Sequence, residues 1–126
     1  MSVNKERVQL LVNALRSGEY QQAAGHLRLN GRYCCLGVAT KIALEGGCEI
    51  PPSKAENREP WNQNHQIMCP AVYEWYGFTE GSPQLLRDDT GHFTDSAVTL
   101  NDNYGWNFNK IADAFERTFL RETAAA

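Results

Sequence analysis

Apolar positions near the start of the chain recur with helical spacing. Val8, Leu11, Val12 and Leu15 fall at i, i+3, i+4 and i+7, which predicts a helix over about residues 4–17. Ser2 or Asn4 can cap its start, and Gly18 follows its end as a C′ glycine. The period then shortens. In "HLRLNGRYCC" Leu27 and Leu29 alternate with Arg28, and Asn30-Gly31 predicts a two-residue hairpin turn, because type I′ turns need positive φ at both central positions. The implied register sets Leu29 opposite Arg32, Arg28 opposite Tyr33 and Leu27 opposite Cys34. Cys34 then shares the apolar face of Leu27 and Leu29 and points into the core. From Cys35 the helical period returns through Val38, Ala39 and Ile42, with Leu36 and Ala43 widening the stripe, until Gly46-Gly47 stops it. Gly37 sits in the first turn, where a missing side chain allows another backbone to come close.

Residues 48–69 break every period. Pro51-Pro52 and Pro60 forbid a long helix, so this is read as a long loop, with Trp61 either pinning it to the core or offering a flat contact surface. Pro70 suits the first position of a short helix over about 70–76, ended by Gly77, with Val72, Trp75 and Tyr76 on its apolar side. "QLLR" reads as a short strand, and "DDTGHFTD" as a polar loop or a second hairpin turn. Phe108, Ile111, Ala112, Phe115 and Phe119 make the last stripe, a helix over about 107–121. Asn107 is its N-cap, and Trp106 and Ile111 stand at the staple positions. The final residues, about 122–126, are expected to fray. The sum is one α+β domain over residues 1–126: three main helices and a shorter one packed on a small antiparallel sheet begun by the 26–34 hairpin.

Composition narrows the class. With 126 residues, 42% apolar and 21% charged, the chain can bury one core and is not of disordered composition. A net charge of −3 argues against a protein built to neutralise nucleic-acid phosphates. No apolar run approaches the roughly 20 residues of a membrane span. The first residues lack the apolar core of a signal peptide, so a cytoplasmic protein is expected, acting in the host cytoplasm if phage-encoded. Cys34, Cys35, Cys48 and Cys69 are then read as reduced thiols. Zinc would need spacings such as C-x₂-C, and none is present; four ligands gathered with His65 are the minor alternative, and no metal and no cofactor is expected.

Several strings occur together in order: "ALRSGEYQQ", "YCCLGVA", "P-x-V-x-x-W", and "LND" ahead of "F-x-x-IADAFE". In this set the chain resembles a family of small uncharacterised proteins from tailed-phage genomes, prophages and actinobacteria. The matching positions are Ala14 to Gly18, Tyr20, Gln21 or Gln22, Tyr33 to Val38, Leu100 to Asp102, and Phe108 with Ile111 and Ala112. The resemblance implies phage context and no catalytic activity. The chain departs from the family's pattern in its long 49–68 loop and in the stretch "NDNYGWNF".

Three groups of residues carry candidate chemistry. Cys35 opens a helix, where a positive dipole end lowers a thiol pKa, and His26 falls on the same face of the hairpin. A Cys35–His26 dyad oriented by Asn101 or Asp102 is therefore conceivable, but a buried structural cysteine is the commoner reading. Asn101 and Asp102 read as turn residues bonding their own backbone, or as a polar ledge for a ligand hydroxyl or amine. Arg32 reads as a solvated side chain, or as a cation for an anion at the helix start. Asp88, Asp89 and Asp95 lack the ligand rhythm of a calcium loop. No P-loop, G-x-S-x-G or H-E-x-x-H string is present. The expected ligand site is thus Arg32, Cys35, Asn101 and Asp102, roofed by Trp61.

Three functional classes follow. The first is an accessory protein that binds, without turnover, a host or defence-system protein or a small anionic, nucleotide-like ligand. The second is a small thiol enzyme using Cys35. The third is a virion structural or assembly protein. Homo-oligomerisation is compatible with all three, and direct nucleic-acid or membrane binding is not expected.

Overall fold

A computed structural model describes residues 3–49 and 67–121. Trp61, His65, Ser2 and the 122–126 tail lie outside the described residues. Helix α1 spans Lys5–Arg16, with the Asn4 side chain accepting from the Arg7 N–H at 3.1 Å and Gly18 at φ 78° beyond its end. Strands β1 (Arg28–Leu29) and β2 (Arg32–Tyr33) form the antiparallel hairpin in the register read from the sequence, with Arg28 opposite Tyr33 and Leu29 opposite Arg32. Asn30 and Gly31 take φ of 52° and 78°, the two positive angles that the turn requires. Helix α2 is Cys35–Glu45 and α3 is Pro70–Tyr76, the latter closed by Gly77 in the left-handed region.

A second hairpin joins β3 (Gln84–Leu86) to β4 (Thr94–Ser96). Helix α4 (Ala97–Asp102) follows at once, and α5 (Phe108–Phe115) runs into a π-helical turn, Glu116–Leu120. The sheet is therefore two separate two-stranded hairpins flanked by helices, still α+β.

The core is one cluster. Val8, Leu11, Val12 and Leu15 of α1 meet Leu36, Val38 and Ala39 of α2 and Ile111, Ala112 and Phe115 of α5, all buried. Arg7 ties α1 to α3 by donating to the Trp75 carbonyl at 2.8 Å while its guanidinium lies 4.4 Å from that indole's ring centre. Arg16 ties α1 to α5 through Asp113 at 2.7 Å and Glu116 at 3.2 Å.

Four expectations change. Leu29 does not share the core face of Leu27 and Cys34; it is 37% exposed, because the two-residue strands carry the hairpin tip past the edge of the core. "LND" is not a turn before a helix but the end of α4. That helix is six residues long, capped by Ser96, and carries β-branched Val98 and Thr99, so its propensity signal is weak and burial of Ala97 and Leu100 holds it. The last helix does not run unbroken to residue 121. Thr118 donates to the Ala114 carbonyl at 2.7 Å and accepts the Leu86 N–H at 2.8 Å, which binds the widened turn to β3. Phe119, in that turn, is only half-buried, 4.9 Å from the Phe78 ring.

Candidate functional site

Three distant parts of the chain meet at the start of α2. Cys34 is its N-cap: the thiol sulfur accepts the Gly37 N–H at 3.3 Å, and the Cys34 N–H donates to the Leu27 carbonyl at 3.3 Å. The next amide, Cys35 N–H, donates to Asn101 Oδ1 at 3.2 Å. That oxygen also accepts from Gln22 Nε2 at 2.8 Å, while Asn101 Nδ2 donates to the Ala23 carbonyl at 2.8 Å and to Asp102 Oδ1 at 2.7 Å. Asn101 is 3% exposed and uses both lone pairs and both amide hydrogens, its full capacity. Gln22 Nε2 reaches on to the Trp106 carbonyl at 2.7 Å. Residues from "YQQ", "CCLG" and "LND" thus meet in one polar knot.

Backbone packing tightens the same corner. A Cβ on Gly37 would stand 1.7 Å from the Leu27 carbonyl oxygen, so only glycine fits there. Residues 21–23 pair with the free edge of β2: Tyr33 N–H donates to the Gln21 carbonyl and Ala23 N–H to the Tyr33 carbonyl, both at 2.8 Å. The contact is an isolated parallel bridge between Gln22 and Tyr33, which covers the outer edge of β2.

The thiols are those of a core. Burial pushes the Cys34 thiol up to about 11, the Gly37 N–H only partly opposing it. Burial also holds Cys35 well above the ordinary thiol range, with Cys34 and the Asp102 carboxylate acting in the same direction. The Cys35 sulfur donates to the Ala97 carbonyl at 3.6 Å. Desolvation therefore outweighs the helix dipole, and the thiolate that nucleophilic attack needs is disfavoured. His26 is half-buried on the approach to β1.

Cys35, Asn101 and Asp102 are therefore brought together as expected, but the first two face inward. Arg32 stands elsewhere. It is exposed and borders a groove of about 570 Å³ lined by Gln21, Gln22, Ala23, Ala24, Leu29 and Asn30. The 21–24 segment is common to both places: it borders the groove, and its Gln22 side chain and Ala23 carbonyl reach Asn101. Trp61, the expected roof, lies outside the described residues. Asp89 accepts from Arg117 at 3.2 Å and Arg121 at 2.6 Å, and Asp95 pairs with Arg87 at 3.4 Å. No group of three His, Cys, Asp or Glu among the described residues could hold a metal ion.

A second surface was not legible in the apolar pattern. Phe93 is 58% and Tyr104 51% exposed. Arg87, Asp88, Phe93, Trp106 and Lys110 line a groove of about 410 Å³. The Lys110 ammonium lies 4.2 Å from the Trp106 ring centre, and the Arg87 guanidinium 5.0 Å from that of Tyr104. The Trp106-to-Lys110 spacing of four was the one available signal.

The chain belongs to the family described as a domain of unknown function (DUF8296), which it matches over residues 3–119. No curated protein and no solved structure matches it.

Proposed function

We propose that the chain is a phage-type accessory protein that binds a small anionic, nucleotide-like ligand without turnover, in the groove beside Arg32. One observation carries this reading. Among the described residues Arg32 has no acidic partner and no carboxylate lines its groove. A guanidinium set among neutral polar groups favours a bidentate phosphate or carboxylate. Gln21 and Asn30 supply further donors and acceptors, and the exposed Leu29 offers apolar contact to a ring. The wall behind is pre-formed, because Gln22 is anchored on Asn101 and Trp106, so little ordering cost falls on binding. The phage context rests on the resemblance of the "ALRSG", "YCCLGV" and "LND" strings. The reading without turnover is supported by the chemistry of the lining, which among the described residues offers no thiol, hydroxyl nucleophile or titrating base.

The test is a thermal-shift and calorimetric titration of the full chain with pyrophosphate, ATP and a cyclic dinucleotide. Ligand at a hundred times its Kd adds about 2.7 kcal/mol of stability, a shift of several degrees. The expected result is a shift with at least one probe that Arg32→Ala abolishes and Arg32→Lys weakens, with the free variants melting as the parent does. No shift with any probe, or a shift that survives Arg32→Ala, overturns the reading and leaves a host or defence-system protein as the alternative partner.

A further inference from the structure

The second surface differs from the Arg32 groove in composition. It carries three aromatic rings, two of them more than half exposed, and both signs of charge. It is also firmly built. Asp89 in the β3–β4 loop is clamped by Arg117 and Arg121, and the Arg87 N–H donates to the Phe93 carbonyl at 2.9 Å. Asp88 accepts from the Thr90 N–H at 3.0 Å, closing the turn between them. Phe93 is thus held outward by the fold. A large exposed aromatic on a braced hairpin is a contact residue in search of a surface.

Charge decides what covers it. Asp88 and Lys110 line the same groove with opposite sign, and neither forms an ion pair among the described residues. Arg87 is already paired with Asp95. The face is therefore close to neutral. An anionic ligand would meet Asp88, and a strongly charged partner of either sign would meet a like charge. A two-fold related copy of the same face would not. Across a two-fold axis each Lys110 can meet the other copy's Asp88, twice per dimer, around a centre of aromatic rings. An isologous interface needs this self-complementarity.

We propose that Arg87, Asp88, Phe93, Tyr104, Trp106 and Lys110 form a homodimer interface, with Lys110 of each copy paired to Asp88 of the other. This interface is independent of the Arg32 groove, so either proposal can fail alone.

The test is sedimentation equilibrium of the full chain over about 1–200 µM, the range in which a modest interface of this kind is expected to associate. Circular dichroism melts verify that each variant is folded. The parent should form dimers as concentration rises, and Phe93→Ser should weaken association at least tenfold. Lys110→Asp alone and Asp88→Lys alone should each be monomeric, since each places like charges across the axis. An equimolar mixture of those two variants should dimerise again, because both pairs are then of opposite sign. A parent that stays monomeric throughout overturns the proposal. So does a dimer that survives Phe93→Ser, or a variant mixture that remains monomeric.

Discussion

Gly37 lies inside a helix, where alanine is ordinarily the better residue by about 1 kcal/mol. Here the sign should reverse. The alanine Cβ would stand 1.7 Å from the Leu27 carbonyl oxygen and 2.7 Å from its carbon, against an ordinary contact of about 3.5 Å. The two backbones must then part by more than about 1 Å. Leu27 resists, being 1% exposed in the core. So does the α2 start, whose Cys34 N–H donates to that same carbonyl and whose Cys35 N–H is held by Asn101. Overpacking costs about 1–3 kcal/mol, and each of those two hydrogen bonds contributes about 1 kcal/mol. Less the propensity gain, Gly37→Ala should lose about 2–4 kcal/mol. With a urea slope of about 2 kcal/mol per molar, the midpoint should fall by about 1–2 M at unchanged slope. A variant as stable as the parent, or more so, would refute the close approach of α2 to residue 27.

Asn101→Ala should cost about 2–5 kcal/mol, since it strands the Cys35 N–H and the Ala23 carbonyl and removes one of the two acceptors of the Gln22 amide; a loss under about 1 kcal/mol in urea unfolding would mean that the knot contributes little. Cys34→Ser should stay within about 1 kcal/mol of the parent, because a hydroxyl caps the Gly37 N–H at least as well as a thiol, whereas Cys34→Ala should lose about 1–2 kcal/mol with the cap; equal stabilities of the two variants would show that the cap bond is idle. Alkaline pH should destabilise the fold: the unfolded chain ionises Cys34 near its ordinary 9.0 while the folded chain keeps the proton to about 11, so stability falls from pH 9 towards 11, by about 2–3 kcal/mol from this residue. Cys34→Ser should remove part of that fall in unfolding curves taken at pH 8 and pH 10, the buried Cys35 thiol supplying the rest, and a parent with no fall would contradict the burial of both thiols.

The parts of the fold legible in the sequence were those governed by local geometry. Asn30-Gly31 fixed a register because only two positive φ angles close that turn. Asn4, Asn107, Pro70 and the glycines at 18, 47 and 77 marked helix ends for similar reasons. Helix α4 leaves no signal in the sequence because tertiary burial, not propensity, forms it. The convergence of Cys35 with Asn101 was readable as a meeting of motifs, but which way the side chains face was not. That depends on the 21–23 segment closing over them and pairing with β2, a contact no period announces. The same segment borders the open groove beside Arg32 while its Gln22 side chain and Ala23 carbonyl bond the buried Asn101, so the one expected site divides into a knot and a groove. The capping role of Cys34 was hidden for a different reason: cysteine is not among the residues that favour N-caps.

The bond from the Cys35 amide to Asn101 has a bearing on how the molecule opens. First-turn amides of a helix have no partner within the helix and usually exchange with solvent by fraying. This one is buried, and its acceptor lies 66 residues away. Releasing it requires α4 to leave α2, which also unties Gln22 and Ala23. Its hydrogen exchange should therefore follow whole-molecule unfolding, while amides in the middle of a shorter helix such as α3 open more readily. The start of α2, the place where a helix is ordinarily weakest, is then a point at which the two halves of the chain are locked together.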